Sequence, residues 1–288
     1  MTEILTWNIQ AGKGVDGRVD LTRIAAVIRS MGDADIICLQ EVSRFMPELD
    51  GGSDQVEQIA GLFPNHSAWF GAGVDMISED GPTAPRRSFG NMILSRLPVL
   101  CAFRHTLPQP AAPGIKHMAR QATEVNVSTP AGPLRVMTTH LEFNAVGHRA
   151  AQVARLRELH FEGTRNAQDP PAEVRGPYAP PVRPETLVLC GDFNFEPESN
   201  DYAAMLASFD KGVGRLVDAW RCAHGAKHHD PTCGIHDHAQ WPDGAHCRDF
   251  FFVTSDVCAR TTDVRVDTQT DASDHQPLLL SLNDERKG

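Results

Sequence analysis

Five short apolar runs in this chain border polar residues that suit metal or proton chemistry. The bordering residues are Asn8, Glu41, His140, Asp192 with Asn194, and Asp274 with His275. A continuous apolar run such as 35–40 is typical of a strand that is buried on both faces. In folds that combine strands and helices, ligands gather at strand ends and in the loops that follow them. We therefore expect these polar side chains to form one cluster at the end of a sheet.

Strand-like and helix-like segments alternate along the chain. Residues 21–28 show the spacing of an amphipathic helix after Asp20, a candidate N-cap. The segments 123–127 and 134–138 flank a turn and predict a hairpin. We also predict helices at 149–161 and 201–209, late strands at 250–253 and 278–280, and surface loops at 71–90, 107–117 and 165–185. No repeat or shift in composition divides the chain, so we predict a single domain over residues 1–288.

The N-terminus and the cysteines indicate a cytoplasmic location. Residues 1–7 lack a basic region followed by a long apolar stretch, so we expect no signal peptide. No apolar run approaches the roughly 18 residues that span a bilayer, so no transmembrane segment is expected. The cysteines are odd in number and scattered, and Cys38 and Cys190 lie in apolar runs. This pattern indicates buried thiols rather than a framework of disulfides.

Five short blocks follow one another along the chain: Thr6-Trp7-Asn8, Leu39-Gln40-Glu41-Val42, Thr139-His140-Leu141, Gly191-Asp192-Phe193-Asn194 and Ser273-Asp274-His275. In order and spacing they resemble those of the endonuclease/exonuclease/phosphatase superfamily, which includes deoxyribonucleases, sphingomyelinases and inositol phosphatases. They run from residue 6 to residue 275. The resemblance implies an α/β (α+β) fold, a four-layer sandwich in which two packed, mainly antiparallel mixed β-sheets are flanked by helices. It also places a site at one mouth of the sandwich.

The resemblance implies an enzyme that hydrolyses phosphate esters with the help of a divalent metal ion. Glu41 would hold Mg²⁺ or Mn²⁺ through oxygen, with Asn8 and Asp274 as further or indirect ligands. His275 would take the proton of the attacking water, and Asp249 would orient its ring.

Three more residues receive roles at the same site. Asp192 would position the water, or would accept its proton instead of His275. Asn194 and His140 would donate hydrogen bonds to phosphoryl oxygens, and His140 could also protonate the leaving oxygen. A histidine at 140 resembles the deoxyribonuclease and sphingomyelinase branches of the superfamily.

Four residues are weaker candidates for substrate binding. Asn91 lies in a block, 90–96, that resembles a family block whose asparagine faces the phosphate. Arg120 and Arg149 lie close in sequence to the hairpin and to His140, and either could reach an anionic substrate. His236 belongs to segment 222–247, which holds three cysteines and six histidines. Its cysteines lack the paired spacing of zinc fingers, so we favour a loop that shapes the substrate site over a structural zinc site.

The net charge bears on the choice of substrate. Proteins that hold long nucleic acids usually present a basic surface, whereas this chain has a formal net charge of −10. We therefore predict a phosphodiesterase or phosphatase that acts on a small molecule or a lipid head group. A DNA or RNA nuclease with the same site is the alternative, and a non-catalytic or zinc-stabilised binding protein is a more remote one.

Overall fold

The computed structural model describes residues 1–172, 175–210 and 212–285, and within them twelve strands form two sheets. In chain order the strands are β1 (Thr2–Asn8), β2 (Ile36–Arg44), β3 (Ser67–Met76), β4 (Arg87–Ser95), β5 (Val99–Thr106), β6 (Gln121–Thr129), β7 (Gly132–His140), β8 (Leu187–Asp192), β9 (Val217–Asp218), β10 (Asp249–Val253), β11 (Thr261–Val266) and β12 (Leu278–Leu282). The α-helices are α1 (Leu21–Met31), α2 (Pro47–Asp50), α3 (Gln55–Leu62), α4 (Val146–Gln168), α5 (Asn200–Leu206), α6 (Ala219–His224) and α7 (Ser255–Arg260).

The two sheets pack face to face. The first has the strand order β11-β12-β1-β2-β4-β3, and the second has the order β5-β6-β7-β8-β10-β9. The pairs β1–β2 and β7–β8 are parallel, and the other neighbours in the described residues are antiparallel. The predicted sandwich of two mixed, mainly antiparallel sheets flanked by helices is confirmed.

Burial on both faces explains the continuous apolar runs of the sequence. Between the sheets, side chains such as Ile4, Cys38, Val136 and Phe251 form a shared core. Alternate residues of the same strands face outward, against α1 and α3 on the first sheet and against α4 and α5 on the second. Full burial of one such side chain stabilises the fold by roughly 1.5–3 kcal/mol. The rigid centre of the sandwich therefore fixes the ends of its strands.

The two parallel pairs end at the same mouth. Asn8 at the end of β1 pairs with Gln40 of β2, and His140 at the end of β7 pairs with Asp192 of β8. The amide nitrogen of Asn8 donates a hydrogen bond of 3.0 Å to Asp192 across the sandwich. Strand ends of both sheets thus bring their polar residues to one place.

A close approach of β7 and β8 sets the spacing at this mouth. Gly191 has a φ of 133°, and a Cβ there would lie 1.9 Å from the carbonyl oxygen of Thr139. A side chain is therefore excluded both by the backbone conformation and by the contact. The glycine lets Asp192, the next residue, lie beside His140.

Most predicted elements are confirmed, with shifted ends. Asp20 caps α1 by accepting hydrogen bonds from two backbone N–H groups, and β6 and β7 form the predicted hairpin. The helix predicted at 149–161 is the longer α4, which continues into the loop predicted at 165–185. Residues 173–174 of that loop lie outside the described residues.

The surface loop predicted at 71–90 is wrong over half of its length. β3 and β4 pair across it, and the turn between them is shorter. β3 lies at the edge of the first sheet, and half of its residues are exposed. Without a buried face, its sequence lacks the apolar run that marked the central strands.

One prediction about the cysteines also needs correction. The structure joins Cys222 of α6 to Cys258 of α7 by a disulfide. Cys38 and Cys190 are buried free thiols, as predicted, and so are Cys233 and Cys247. The sequence could not indicate the disulfide, because its partners are 36 residues apart and meet only when the two helices pack.

Candidate active site

A cavity of about 240 Å³ opens at the mouth where the parallel strands end. Its lining includes six of the strand-end residues predicted to cluster: Glu41, His140, Asp192, Asn194, Asp274 and His275. Asn8 lies behind them and contacts two of the carboxylates. The rest of the lining comes from Lys116, His117, Met118, Arg120, Glu142, Phe143, Asn144, Gln240 and Trp241. The structure therefore gathers the predicted residues into one site.

Glu41 faces this cavity from a bulge in β2. The pairing of β2 with β4 shifts register between Leu39 and Val42, and Glu41 has a φ of 59°. Bulges re-aim side chains, and a non-glycine residue with a left-handed φ stores strain of roughly 1–3 kcal/mol. The amide of Asn8 donates to Glu41 over 3.1 Å and so helps to hold the carboxylate in place.

The carboxylates at Glu41 and Asp274 fit a hard divalent cation. Burial, followed by repulsion from Asp274, raises the pKa of Glu41 to about 7. Burial likewise raises the pKa of Asp274, with a further contribution from Asp192. Crowded, buried carboxylates are unfavourable without positive charge beside them, and oxygen ligands suit Mg²⁺ and Mn²⁺.

A buried dyad belongs to the same site, with His275 in the cavity lining and Asp249 behind it. The ring Nδ1 of His275 is 2.8 Å from Oδ2 of Asp249, which also accepts a hydrogen bond of 2.7 Å from the hydroxyl of Thr232. Burial raises the pKa of Asp249 to about 6. Burial alone would lower the pKa of His275, but the carboxylates of Asp249, Asp192 and Asp274 outweigh it and hold the pKa well above its usual value.

Asp192 lies between the dyad and the Glu41 side of the cavity. Its Oδ2 is 3.6 Å from Nε2 of His275 and 3.3 Å from Nε2 of His140, and Oδ1 accepts a hydrogen bond from the backbone N–H of Asn194. Burial would raise its pKa, but the two histidines and the hydrogen bonds outweigh it and lower the pKa. Asp192 is therefore an ionised acceptor at neutral pH.

His140 is a neutral ring in this site. Burial, followed by repulsion from Arg120, lowers the pKa of His140 to about 3. One ring nitrogen lies 3.7 Å from Glu41 and the other faces Asp192. A neutral imidazole has one N–H group to donate.

Arg120 brings a buried positive charge to the cavity wall. Its Nε is 3.3 Å from Glu142, whereas its Nη1 is buried and has no hydrogen-bond partner among the described residues. Buried donors without a partner are uncommon in proteins and are expected where a ligand or water completes the site. Burial lowers the pKa of Arg120, and an arginine remains charged at neutral pH even so. It can bind an anionic oxygen.

A second group of possible metal ligands lies close to Glu41 and Asp274. Asp192, Asp249 and His275 each present one possible metal-ligand atom, and these atoms lie within 4.8 Å of one another. Two of the three are already bonded to each other, since His275 and Asp249 form the dyad. Because Mg²⁺ and Mn²⁺ prefer oxygen ligands to ring nitrogens, the carboxylates of Glu41 and Asp274 suit such an ion better than this group does.

The weaker candidates fall in different places. Asn91 is buried in β4, where its amide donates to the carbonyl oxygen of Gln121. Arg149 lines a neighbouring cavity and pairs with Asp201 at 2.9 Å. A ring nitrogen of His236 is 3.0 Å from the carbonyl oxygen of Thr268. Of these four candidates, Arg120 alone is among the described residues that line the cavity at the strand ends.

The segment 222–247 contributes to the cavity wall through two residues other than the predicted His236. Gln240 and Trp241 line the cavity, and the Trp241 ring packs on His275 with centroids 5.7 Å apart. Cys222 is held in the disulfide, and Sγ of Cys233 is 3.2 Å from Nε2 of His246. This placement supports the prediction of a loop that shapes the site.

The sequence-based prediction did not include Thr232 or Trp241. Thr232 is fully buried, and its hydroxyl accepts the backbone N–H groups of Arg248 and Asp249 while it donates to the Asp249 carboxylate. A single threonine within the segment 222–247, 17 positions before Asp249, has no distinctive spacing, so the sequence gives no signal for it.

The helices of the described residues include none with the length and apolar composition that crossing a membrane requires. Comparison with protein families matches residues 5–275 to the model of the Endonuclease/Exonuclease/phosphatase family. A search of curated proteins found no match.

Solved structures share the fold. An endonuclease/exonuclease/phosphatase from Beutenbergia cavernae DSM 12333 is 25% identical, with a TM-score of 0.68 over 97% of this chain and 70% of that one. A mannosyl-6-phosphatase from Bacteroides thetaiotaomicron VPI-5482 is 17% identical, with a TM-score of 0.66 over 98% and 100% of the two chains. A 3′ phosphatase from Neisseria, bound to a product DNA hairpin, is 19% identical, with a TM-score of 0.64 over 98% and 100%.

Proposed function

The chain belongs to the endonuclease/exonuclease/phosphatase family, and we propose that it is a divalent-metal-dependent hydrolase of small phosphate esters, acting as a phosphatase or phosphodiesterase. The observation that carries the proposal is the arrangement of one cavity. In it, a histidine that one aspartate orients lies beside a second, ionised aspartate, and the carboxylates of Glu41 and Asp274 line the same cavity. These are the parts that metal-assisted attack of water on phosphorus needs.

In this proposal, Glu41 and Asp274 hold Mg²⁺ or Mn²⁺. Asn8 positions Glu41, because its amide N–H groups donate to the carboxylates of Glu41 and Asp192. Its amide oxygen accepts a hydrogen bond from the backbone N–H of Gln10. When bound, such an ion would neutralise the charge that builds up on the phosphoryl oxygens. Its positive charge would also offset the carboxylates that raise the pKa of His275, so that the ring could accept a proton. The raised pKa of Glu41 supports the assignment, because a bound cation would offset the burial and the repulsion from Asp274 that raise it.

His275 is the proposed acceptor of the water proton. Its Nδ1–H is held by Asp249, which leaves Nε2 as the atom that faces the cavity and Asp192. The Asp249 carboxylate stabilises the imidazolium that forms, as in other oriented histidines. Asp192, 3.6 Å from Nε2, orients the water.

Three other side chains bind the phosphoryl group and the leaving oxygen. His140 donates through its single N–H group. Asn194 uses one amide hydrogen on the carbonyl oxygen of Leu141 and has a second to offer. Arg120 supplies the unpartnered Nη1 and a positive charge. Donors fixed by the fold stabilise charge that develops in the transition state without reorganising.

A small or lipid-derived ester is the proposed substrate rather than a nucleic acid. The net charge of −10 disfavours binding along a phosphate backbone. A related structure bears the name of a mannosyl-6-phosphatase, which supports a small ester, whereas that of the 3′ phosphatase holds a product DNA hairpin and supports the nuclease alternative. Of the weaker candidates, Arg149 lines the neighbouring cavity and is proposed as a contact to the remote part of a substrate, whereas Asn91 and His236 line neither cavity.

The experiment removes metal with EDTA and then adds Mg²⁺ or Mn²⁺ back. The substrates are p-nitrophenyl phosphate, bis-p-nitrophenyl phosphate and plasmid DNA. We expect hydrolysis of at least one nitrophenyl ester that EDTA abolishes and the metals restore. Full activity in metal-free protein would contradict the proposal, and cleavage of the plasmid alone would favour the nuclease.

We also propose a single domain and a cytoplasmic location. The core shared by both sheets supports the single domain. Four buried free thiols support a reducing compartment, while the Cys222–Cys258 disulfide is unusual for one. Trapping thiols at the moment of cell lysis tests the location. Cys222 and Cys258 should then be found reduced, and a fully formed disulfide in cells would contradict a cytoplasmic location.

A further inference from the structure

Glu142 is a fully buried carboxylate in the wall of the cavity at the strand ends, and the proposed reaction leaves it without a role. It lies two residues after His140, between the end of β7 and the start of α4. Burial would raise its pKa, but backbone N–H groups and the charge of Arg120 outweigh burial and lower the pKa. The carboxylate is therefore ionised at neutral pH, and a buried charge is unfavourable unless its partners compensate it.

The two oxygens of Glu142 bind different segments of the chain. Oε1 accepts hydrogen bonds from the backbone N–H groups of Asn144 and Ala145, over 2.9 and 3.5 Å, just before α4. Oε2 accepts from Nε of Arg120 and from the backbone N–H of Met118, each over 3.3 Å. One side chain thus joins the start of α4 to the residues that precede β6.

The backbone of Glu142 is fixed as well. Its N–H donates to the side-chain oxygen of Gln152 over 2.9 Å, and its carbonyl oxygen accepts from Arg149 over 3.1 Å. Gln152 is fully buried in α4, and its amide nitrogen donates to the carbonyl oxygen of Pro108 over 3.2 Å. Because α4 and the loop before β6 hold Glu142 from both sides, its carboxylate has a set position from which to orient a partner.

The contact with Arg120 holds the guanidinium at one nitrogen. A carboxylate that binds an arginine through both oxygens occupies two N–H groups of the planar fork. Here Oε1 of Glu142 already accepts from two backbone N–H groups, so Oε2 is the oxygen left for Arg120, and it meets Nε. Nη1 remains without a partner among the described residues. The guanidinium is thereby oriented while a terminal nitrogen stays available for a substrate oxygen.

Other carboxylates would compete for Arg120 without this contact. Burial lowers the pKa of Arg120, and attraction to Glu142, then to Glu41 and then to Asp192 opposes that effect. Glu41 is the proposed metal ligand, and Asp192 is the proposed water-orienting group. An arginine that turned towards either of them would lose its place beside the phosphoryl group.

We propose that Glu142 is a positioning residue, which holds Arg120 through Nε so that Nη1 binds a phosphoryl oxygen of the substrate. The inference rests on the proposed phosphoester hydrolase and assigns to its site a residue that acts through another side chain. Because Glu142 acts through Arg120, its loss should weaken phosphate binding only while Arg120 is present.

A double-mutant cycle with inorganic phosphate as the probe tests this dependence. The affinity for phosphate is measured by calorimetry with Mg²⁺ present for the wild type, Glu142→Gln, Arg120→Gln and the double variant. We expect each single variant to bind phosphate roughly tenfold more weakly, and the double variant to bind it no more weakly than Arg120→Gln. The control Glu57→Gln, at an exposed position of α3, should match the wild type. Losses that add in the double variant, or unchanged affinity in Glu142→Gln, would overturn the proposal.

Arg120→Lys gives a second test, which does not require Glu142→Gln to fold. Lysine keeps the positive charge, but it has one ammonium group in place of a fork with a separate Nε and Nη1. It cannot be held by Glu142 at one nitrogen and bind phosphate with another. We expect Arg120→Lys to bind phosphate roughly tenfold more weakly than the wild type. Wild-type affinity in this variant would overturn the proposal.

Hydrolysis separates failure of this inference from failure of the proposed function. A protein that binds phosphate but hydrolyses neither nitrophenyl ester with Mg²⁺ or Mn²⁺ would contradict the proposed function, and the cycle would still decide the role of Glu142. Turnover of an ester together with additive losses in the cycle would keep the proposed function and overturn the inference. Failure of the wild type to bind phosphate would also overturn the inference.

Discussion

The ring Nδ1 of His275 lies 2.8 Å from the Asp249 carboxylate, although the two residues are 26 positions apart in the chain. Asp249 begins β10, which pairs with β8, and His275 precedes β12 of the other sheet. The indole N–H of Trp7 donates to the backbone carbonyl of His275 over 2.9 Å and secures the loop against β1. Each sheet thus supplies one partner of the dyad, so the contact depends on how the whole sandwich packs.

Replacing Asp249 with Asn tests the role of this contact. Asn keeps the shape of the side chain but removes the charge that fixes the tautomer of His275 and supports its cation. We expect kcat to fall by about 10²–10⁴-fold with little change in melting temperature. The control is Asp80→Asn, at an exposed position outside the cavity. Turnover close to that of the wild type would refute the pairing.

Thr232 is expected to act as a positioning residue through Asp249. Its hydroxyl donates to the same carboxylate oxygen that binds His275. Thr232→Val keeps the volume and removes the donor, so kcat should fall by roughly tenfold and the pH profile of kcat should shift. Thr232→Ser should restore both, because the hydroxyl returns. A loss in the serine variant equal to that in the valine variant would mean that packing, not the hydrogen bond, explains the effect.

A buried histidine outside the site makes stability depend on pH. Arg135 donates to Nδ1 of His160 over 3.2 Å, and Nε2 of His160 donates to the carbonyl oxygen of Gly214 over 2.9 Å. Burial, with repulsion from Arg135 and Arg157, lowers the pKa of His160 to about 4. This folded-state pKa is below the unfolded value of about 6.5. The stability contributed by the neutral ring is therefore complete above pH 6.5 and is lost as the pH falls towards 4.

Urea denaturation at several pH values measures this effect. We expect the free energy of unfolding to fall between pH 6.5 and 4, with a contribution from His160 of up to about 1.4 kcal/mol per pH unit. His160→Gln should flatten the slope, and exposed His228→Gln should not. Equal slopes for the wild type and His160→Gln would show that the ring has the same pKa in both states.

The strand-end residues could be predicted because their signal is local. An apolar run followed by Asn8, Glu41 or Asp192 is visible in a few consecutive letters, and burial of the central strands produces it. The hairpin of β6 and β7 could be predicted because its two strands and the turn between them are consecutive in the sequence. Glu41 was identified without its bulge, since a shift of register depends on the partner strand β4.

The remaining features depend on contacts between distant segments. The loop after α6 was expected to shape the site, but the contact of Trp241 with His275 depends on how the loop folds back, and no spacing in the loop indicates it. β3 was missed because an edge strand with exposed side chains resembles a loop in composition. The Cys222–Cys258 disulfide requires α6 and α7 to pack side by side. Such long-range geometry has no signature in one sequence.

The requirement for a cation at Glu41 is the central claim, and one titration tests it most directly. The rate of bis-p-nitrophenyl phosphate or p-nitrophenyl phosphate hydrolysis is measured against Mg²⁺ concentration for the wild type, Glu41→Gln and the control Glu57→Gln. Glu41→Gln should need at least about tenfold more Mg²⁺ for its half-maximal rate, because a neutral amide binds a hard cation more weakly than a carboxylate. Glu57→Gln should match the wild type. The same Mg²⁺ requirement in all three proteins would contradict the assignment of Glu41 as the metal ligand.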